Sequence, residues 1–131
     1  MFVDDSALCA ILLGEPEGMA FEQRIAIASG ATTSAIAIWE AVRTLVRAKG
    51  LEVAKAEAEV LTYVETAEVV VIAIGLQQAT LALDAFARFG KGRHPARLNM
   101  GDCFAYACAK AHGVPLLFKG DDFPLTDIEP A

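Results

Sequence analysis

The sequence predicts an α/β fold: a mainly parallel central sheet with helices on both faces, three layers in all. Three observations predict it. Short apolar runs, some β-branched, alternate with longer stretches of helical pattern. Glycines stand just past the helical stretches, where they act as stops. A chain of 131 residues that is 55% hydrophobic and 21% charged is expected to fold as one domain, residues 1–131, without a disulfide or structural zinc.

The elements follow in order. Residues 1–4 read as a short strand, Met1-Phe2-Val3 closed by Asp4. Ser6 to about Leu13 reads as a helix ended by Gly14. Pro16 suits the first turn of the next helix, 16–29, which Gly30 ends. Thr32-Thr33 is a short strand, and Ser34 caps the helix 35–49. That helix carries an apolar stripe of Ile38, Trp39, Val42, Leu45 and Val46, and Gly50 closes it. Residues 51–67 are rich in Ala, Glu, Val and Leu and read as helix. Glu68 to Ile74 is the clearest strand, and its run Val69 to Gly75 fits a buried one. A helix over 76–89 stops at Gly90, and a basic loop occupies 91–99. Asn99 caps a helix over 100–112 that Gly113 ends. Pro115 to Phe118 and Thr126 to Ile128 complete the set as short strands.

Composition narrows the function. Cys9, Cys103 and Cys108 are odd in number and form no C-x-x-C or Cys/His cluster. Cys9 and Cys108 read as packing residues, and the cysteine usage as that of a reducing, cytoplasmic protein. The N-terminus lacks the basic region of a signal peptide, and no apolar run reaches the ~18–20 residues of a membrane span. The net charge of −6, taken alone, argues against nucleic-acid binding. Basic residues nevertheless gather in Lys91, Arg93, His94 and Arg97, and again in Arg43, Arg47 and Lys49. Either cluster can be a solvated face; the second also suits a helix C-terminus. No nucleophile elbow, P-loop or dinucleotide fingerprint occurs.

The acids are the chemistry-bearing feature. Asp4, Glu40, Asp102 and Asp122 fall where strands end or helices run. Each has a plain structural explanation. Asp4 suits an N-cap beside Asp5 and Ser6. Glu40 can pair with Arg43 on a helix surface. Asp102 completes a capping box with Asn99. Asp122 sits in Gly120-Asp121-Asp122, ordinary turn composition. Ligands of parallel α/β sheets bind beyond the carboxyl ends of the strands, where Asp4, Asp102 and Asp122 are expected. Brought together, such carboxylates make a hard-oxygen site for Mg²⁺ or Mn²⁺, of the kind that hydrolyses phosphodiesters.

Asp4-x-Ser6, Glu40 in a helix after a Thr-Ser pair, Leu98-Asn99-Met100-Gly101-Asp102 and Gly120-Asp121-Asp122-Phe123 together resemble the PIN-domain family, in its VapC-type toxin branch. The likeness runs the whole chain in order; any one motif is weak, and the ordered set is strong. It implies a PIN-like three-layer fold and a Mg²⁺- or Mn²⁺-dependent endoribonuclease leaving a 5′-phosphate. It also implies a homodimer and a VapB-like antitoxin that blocks the site. The site it implies is Asp4, Glu40, Asp102 and Asp122, with Ser6 and Asp121 accessory. The assignment of Glu40 rests on this resemblance, and Asp121 competes with Asp122 for the fourth place. Asp4 and Asp102 are expected to hold the metal directly, Glu40 and Asp122 directly or through water. Lys91, Arg93, His94 and Arg97 are expected to meet RNA phosphates. A non-enzymatic PIN-fold module that binds a partner is the competing reading. A phospho-acceptor domain is disfavoured, because the Val69–Ile74 run ends without an acid.

Overall fold

In the computed structural model, which describes all of residues 1–131, the sheet has four strands and every pairing in it is parallel. The strands are β1 (Phe2–Val3), β2 (Thr32–Ser34), β3 (Val70–Ile72) and β4 (Leu116–Leu117), in the order β3-β2-β1-β4. Helices α1 (Asp5–Leu12), α2 (Gly18–Ile27), α3 (Ala35–Lys49), α4 (Val53–Thr66), α5 (Leu76–Phe89) and α6 (Met100–His112) connect them. A 3₁₀ turn, Phe123–Leu125, follows β4.

The strands are short, yet their alternation sorts the core cleanly. Phe2 and Leu116, paired across β1 and β4, point to one face and pack with α5 and α6. Val3 and Leu117, the next pair, point to the other face and pack with α1, α3 and α4. A period of two in side-chain direction therefore places apolar residues on both faces of the same strand, as a sheet covered by helices on each side requires. Most of α6 is buried, from Cys103 through Ala109, as its small and apolar composition predicts.

Helix boundaries follow local chemistry. Ser34 caps α3, its Oγ accepting from the Ala37 N–H at 3.3 Å. Gly50 and Gly113 end α3 and α6 at φ of 64° and 61°, the left-handed conformation that favours glycine. The second helix begins at Gly18 rather than at residue 16. Pro16 and Glu17 form a turn there, and α2 passes so close to α1 that a Cβ on Gly18 would lie 2.6 Å from the Ala10 carbonyl oxygen.

Two strand expectations are corrected. The run Val69 to Gly75 is not a buried strand: only Val70–Ile72 is extended, at the sheet edge, with Val70 61% and Val71 47% exposed. Glu68 turns the chain with φ of 53°. Hydrophobicity alone does not distinguish an edge strand from a central one. Thr126 to Ile128 is not a strand either. Thr126 is held in a turn by its hydroxyl donating to the Phe123 carbonyl, and the sheet contact comes later, as a parallel bridge from Leu116 to Pro130.

Candidate active site

The carboxyl edge of the sheet gathers the acids. Because α1 leaves β1 directly, Asp4 sits at the tip of the central strand, its backbone N–H donating to the Leu117 carbonyl at 3.0 Å. It is also the N-cap of α1: Oδ2 accepts from the Ser6 N–H at 3.2 Å and from the Ser6 hydroxyl at 2.5 Å. Ser6 Oγ accepts in turn from the Lys119 backbone N–H at 3.0 Å, tying the segment after β4 to the first helix. Asp102 and Asn99 make the expected capping box, with Asn99 N–H to Asp102 Oδ2 at 2.8 Å and Asp102 N–H to Asn99 Oδ1 at 3.1 Å. The structural explanations for Asp4 and Asp102 are thus correct, and both acids also face the same cleft.

That cleft, of about 250 Å³, is lined by Asp4, Asp5, Ser6, Glu40, Arg43, Asn99, Asp102, Lys119, Asp122 and Phe123. Asp4, Glu40, Asp102 and Asp122 therefore meet, drawn from β1, α3, α6 and the segment after β4. Asp122 lines the cleft and Asp121 does not. Glu40 reaches it because residue 101 is glycine: a Cβ there would lie 1.7 Å from Glu40 Oε2. The bland reading of Glu40 as a surface partner of Arg43 therefore accounts for only part of its setting.

Burial and crowding raise Asp4, Asp5, Glu40 and Asp102. Asp4, only 2% exposed, is pushed up by desolvation against the pull of its Ser6 hydrogen bonds. Asp5 is pushed up to about 8 by burial and by the charges of Asp4, Glu40 and Asp102. Asp102 is raised to about 7, mostly by burial, with the Asn99 backbone bond pulling down and Asp4, Asp122 and Glu40 pushing up. Glu40 is raised by burial and by Asp4, with Arg43 opposing. Asp5 is the acid that sequence reasoning passed over, because Asp-Asp-Ser reads so readily as a helix start. Its signal was the surplus of polar residues over what one cap needs.

The expected phosphate contacts lie elsewhere. Lys91, Arg93, His94 and Arg97 do not line the cleft. Lys91 borders a separate apolar groove, Arg93 stacks over Phe86, and His94 packs edge-on against Phe89 while its Nδ1 accepts from the Ala96 N–H. The cations that do line the cleft are Arg43 and Lys119. Lys119 is paired with Glu15 at 2.7 Å and Glu17 at 3.3 Å.

The donors fit a hard divalent cation. The titratable donors on the cleft wall are carboxylates, with no sulfur or imidazole among them, which disfavours zinc. No three of them converge into a ready-made chelate. Mg²⁺ needs no such chelate, since it keeps several waters and takes one or two carboxylates. Cys9, Cys103 and Cys108 are buried and free, their thiols pushed up to about 12, 11 and 11, so none offers a thiolate.

A parallel α/β sheet with a cleft of acids at its carboxyl edge describes the nuclease-like class to which the sequence motifs point. The PIN domain model matches residues 1–129, and the chain belongs to the PIN-domain family. Its relatives there are ribonucleases of the VapC group. Ribonuclease VapC of Mycolicibacterium smegmatis is 41% identical over 98% of this chain and 97% of its own. A VapC ribonuclease of Rhizobium meliloti is 37% identical over 97% of this chain and 98% of its own. Ribonuclease VapC30 of Mycobacterium tuberculosis is 39% identical over 98% and 95%. The crystal structure of Mycobacterium tuberculosis VapC20, described as a sarcin-ricin loop cleaving toxin, superposes with a TM-score of 0.78 over 99% of this chain and 97% of its own. At 16% identity that match bears on the fold.

Proposed function

We propose that this chain is a metal-dependent endoribonuclease toxin that cuts single-stranded or looped RNA by in-line hydrolysis. One observation carries the reading: Asp4, Glu40, Asp102 and Asp122, distant in sequence, line one cleft in a chain whose relatives are VapC ribonucleases. Asp4 and Asp102 would hold Mg²⁺ or Mn²⁺ directly, with Glu40 and Asp122 reaching it directly or through water, and the ion would supply charge neutralisation at the scissile phosphate and a lowered pKa for water.

The chain's own residues do the rest. The Ser6 hydroxyl fixes the rotamer of Asp4, and Asn99 fixes that of Asp102. Glu40, raised by burial, orients the attacking water and accepts its proton. The water oxygen bonds to phosphorus as the bond to the 3′-oxygen breaks, and the departing 3′-oxygen takes a proton from solvent, leaving a 5′-phosphate and a 3′-hydroxyl. Arg43 and Lys119 on the cleft wall meet the phosphate charge. Lys91, Arg93 and Arg97 contact phosphates further along the strand, with His94 held by Phe89 beside them. A VapB-like antitoxin holds the toxin silent, and the toxin acts as a homodimer in the cytoplasm. No helix is long and apolar enough to cross a membrane.

The test is to map new 5′ ends in total RNA after induction, wild type beside Asp102→Asn. Discrete 5′-phosphate ends that vanish in the variant, and cleavage by the purified protein that chelation abolishes, are expected. Absence of cleavage with both Mg²⁺ and Mn²⁺ overturns the reading.

A further inference from the structure

Trp39 has no role in the site described above, yet it stands beside it. It is the only tryptophan in the chain, and its side chain is 60% exposed at the surface of α3. It belongs to the apolar stripe of α3, of which Leu45 is fully buried. The indole helps to line an open groove of about 500 Å³, mostly apolar through Ile38, Val42, Val46, Val53 and Val71, with Arg43 and Glu57 also in its wall. Burying a tryptophan stabilises a fold through its large apolar area. Leaving it out forgoes that stabilisation.

Arg43 joins this groove to the acid cleft. Its guanidinium lies 5.3 Å from the Trp39 ring centroid, a cation–π distance. The same side chain lines the cleft and lowers the pKa of Glu40 by its charge. Arg43 therefore stands between the catalytic carboxylate and the indole. Arg43 is the one residue that lines both the acid cleft and the groove of Trp39. Unpaired bases are recognised by stacking on aromatic rings and on Arg planes, which is the pair present here. A protein partner would use the valines equally well, but it would not require a cation shared with the acid cleft.

We propose that Trp39, with Arg43 over it, is the stacking platform for an unpaired base flanking the scissile phosphate. Trp39 is then a substrate-positioning residue, and its contact contributes to the choice of cleavage site. This rests on the ribonuclease reading. The groove's apolar floor accepts the face of a base, and the Arg43 charge balances the adjoining phosphate. Any base has such a face, so the platform tightens binding more than it dictates one letter.

The sole tryptophan provides the probe. Asp102→Asn protein, which binds without cutting, is titrated with short single-stranded and fully paired RNA while Trp39 emission is followed. Saturable quenching by the single strand, with little by the duplex, is expected. With the otherwise wild-type enzyme, Trp39→Ala raises KM for single-stranded RNA about ten-fold and leaves kcat within about two-fold, and Trp39→Phe restores most of the loss. The proposal is overturned if Asp102→Asn binds the RNA with Trp39 emission unchanged, or if Trp39→Ala cuts with wild-type KM. It is also overturned if emission shifts only with protein concentration, which marks a second copy of the chain on this face. Failure of the wild-type protein to cut RNA is a separate result and overturns the ribonuclease reading itself.

Discussion

Replacing Asp102 by Asn should stabilise the metal-free protein at alkaline pH and not at acidic pH. The carboxyl is raised from 3.8 to about 7, chiefly by burial. Because its folded pKa lies above its unfolded value, the native state favours the protonated form. Stability from this group is full below about pH 4, falls as pH rises through 7, and is lost above that. A change from 3.8 to about 7 corresponds to roughly 4 kcal/mol at full ionisation. Asp4, Asp122 and Glu40 share the repulsion, so removing one charge recovers part of it, about 1–3 kcal/mol. With ~2 cal/mol/K of unfolding entropy per residue, that is a Tm rise of about 4–11 °C for a chain of this length. The Asn side-chain oxygen can still accept from the Asn99 N–H, so the cap survives. Thermal melts followed by circular dichroism in chelator check this at pH 8 and pH 4.5. The gain should be largest at pH 8 and shrink to under about 2 °C at pH 4.5. Millimolar Mg²⁺ should raise the wild-type Tm more than that of the variant. A variant that melts below wild type at pH 8, or a difference independent of pH, refutes the reasoning.

Gly101→Ala places a methyl where the Glu40 carboxylate lies; kcat should fall at least ten-fold while the Tm changes by only a few degrees, read by parallel cleavage and melting assays. Asp122→Asn should lower cleavage at least a hundred-fold and Asp121→Asn less than about three-fold, since only Asp122 lines the cleft. Asp127 accepts from the Tyr106 hydroxyl at 2.6 Å and from Arg88 at 3.0 Å, while its backbone carbonyl accepts from Lys110 at 2.9 Å. Its carboxyl is lowered by these bonds, so its contribution is present above the unfolded pKa of ~4 and fades as pH falls below it. Asp127→Ala should therefore cost about 1–2 kcal/mol at pH 7 by denaturant titration and leave kcat unchanged.

How much of this was legible in the sequence depends on the kind of signal. The layer order was legible because alternation of strand and helix patterns survives in single residues, as Phe2 and Val3 facing opposite cores illustrate. Glycine stops at Gly50 and Gly113 were legible because a left-handed φ has few other occupants. Position within the sheet was not: Val70 and Val71 carry the hydrophobicity of a central strand and lie on the edge. Asp127 fell within the expected strand Thr126 to Ile128, since nothing local announces that Tyr106, Arg88 and Lys110 converge on it. At the site, Asp4 and Asp102 were legible from their places beside a strand and a helix start. Glu40 was not, because its approach depends on Gly101, sixty-one positions later. Arg43 and Lys119 were missed for the same reason: lining a cleft is a property of the fold and leaves no local pattern.

The caps at Asp4 and Asp102 sharpen the functional argument. Both acids have complete structural duties, so a module that only binds a partner could have used them as caps alone. Capping does not require charge, however: Asn, Ser and Asp serve about equally. At position 4 a neutral cap would avoid desolvating a carboxylate that is 2% exposed. At position 102 it would avoid repulsion from three neighbouring acids. The capping duty explains the oxygen atoms and leaves the charges unexplained. Under the metal-site proposal, a cation entering the cleft would account for the charges at Asp4, Glu40 and Asp102 together, since it would convert each destabilising contact into a ligand or an outer-sphere hydrogen bond. The two readings therefore part on one sign. If the acids are structural, neutralising Asp4 and Asp102 together weakens the fold. If they hold a metal, the double Asn variant is as stable as wild type or more so without the ion, and loses both the Mg²⁺-induced rise in Tm and the cleavage.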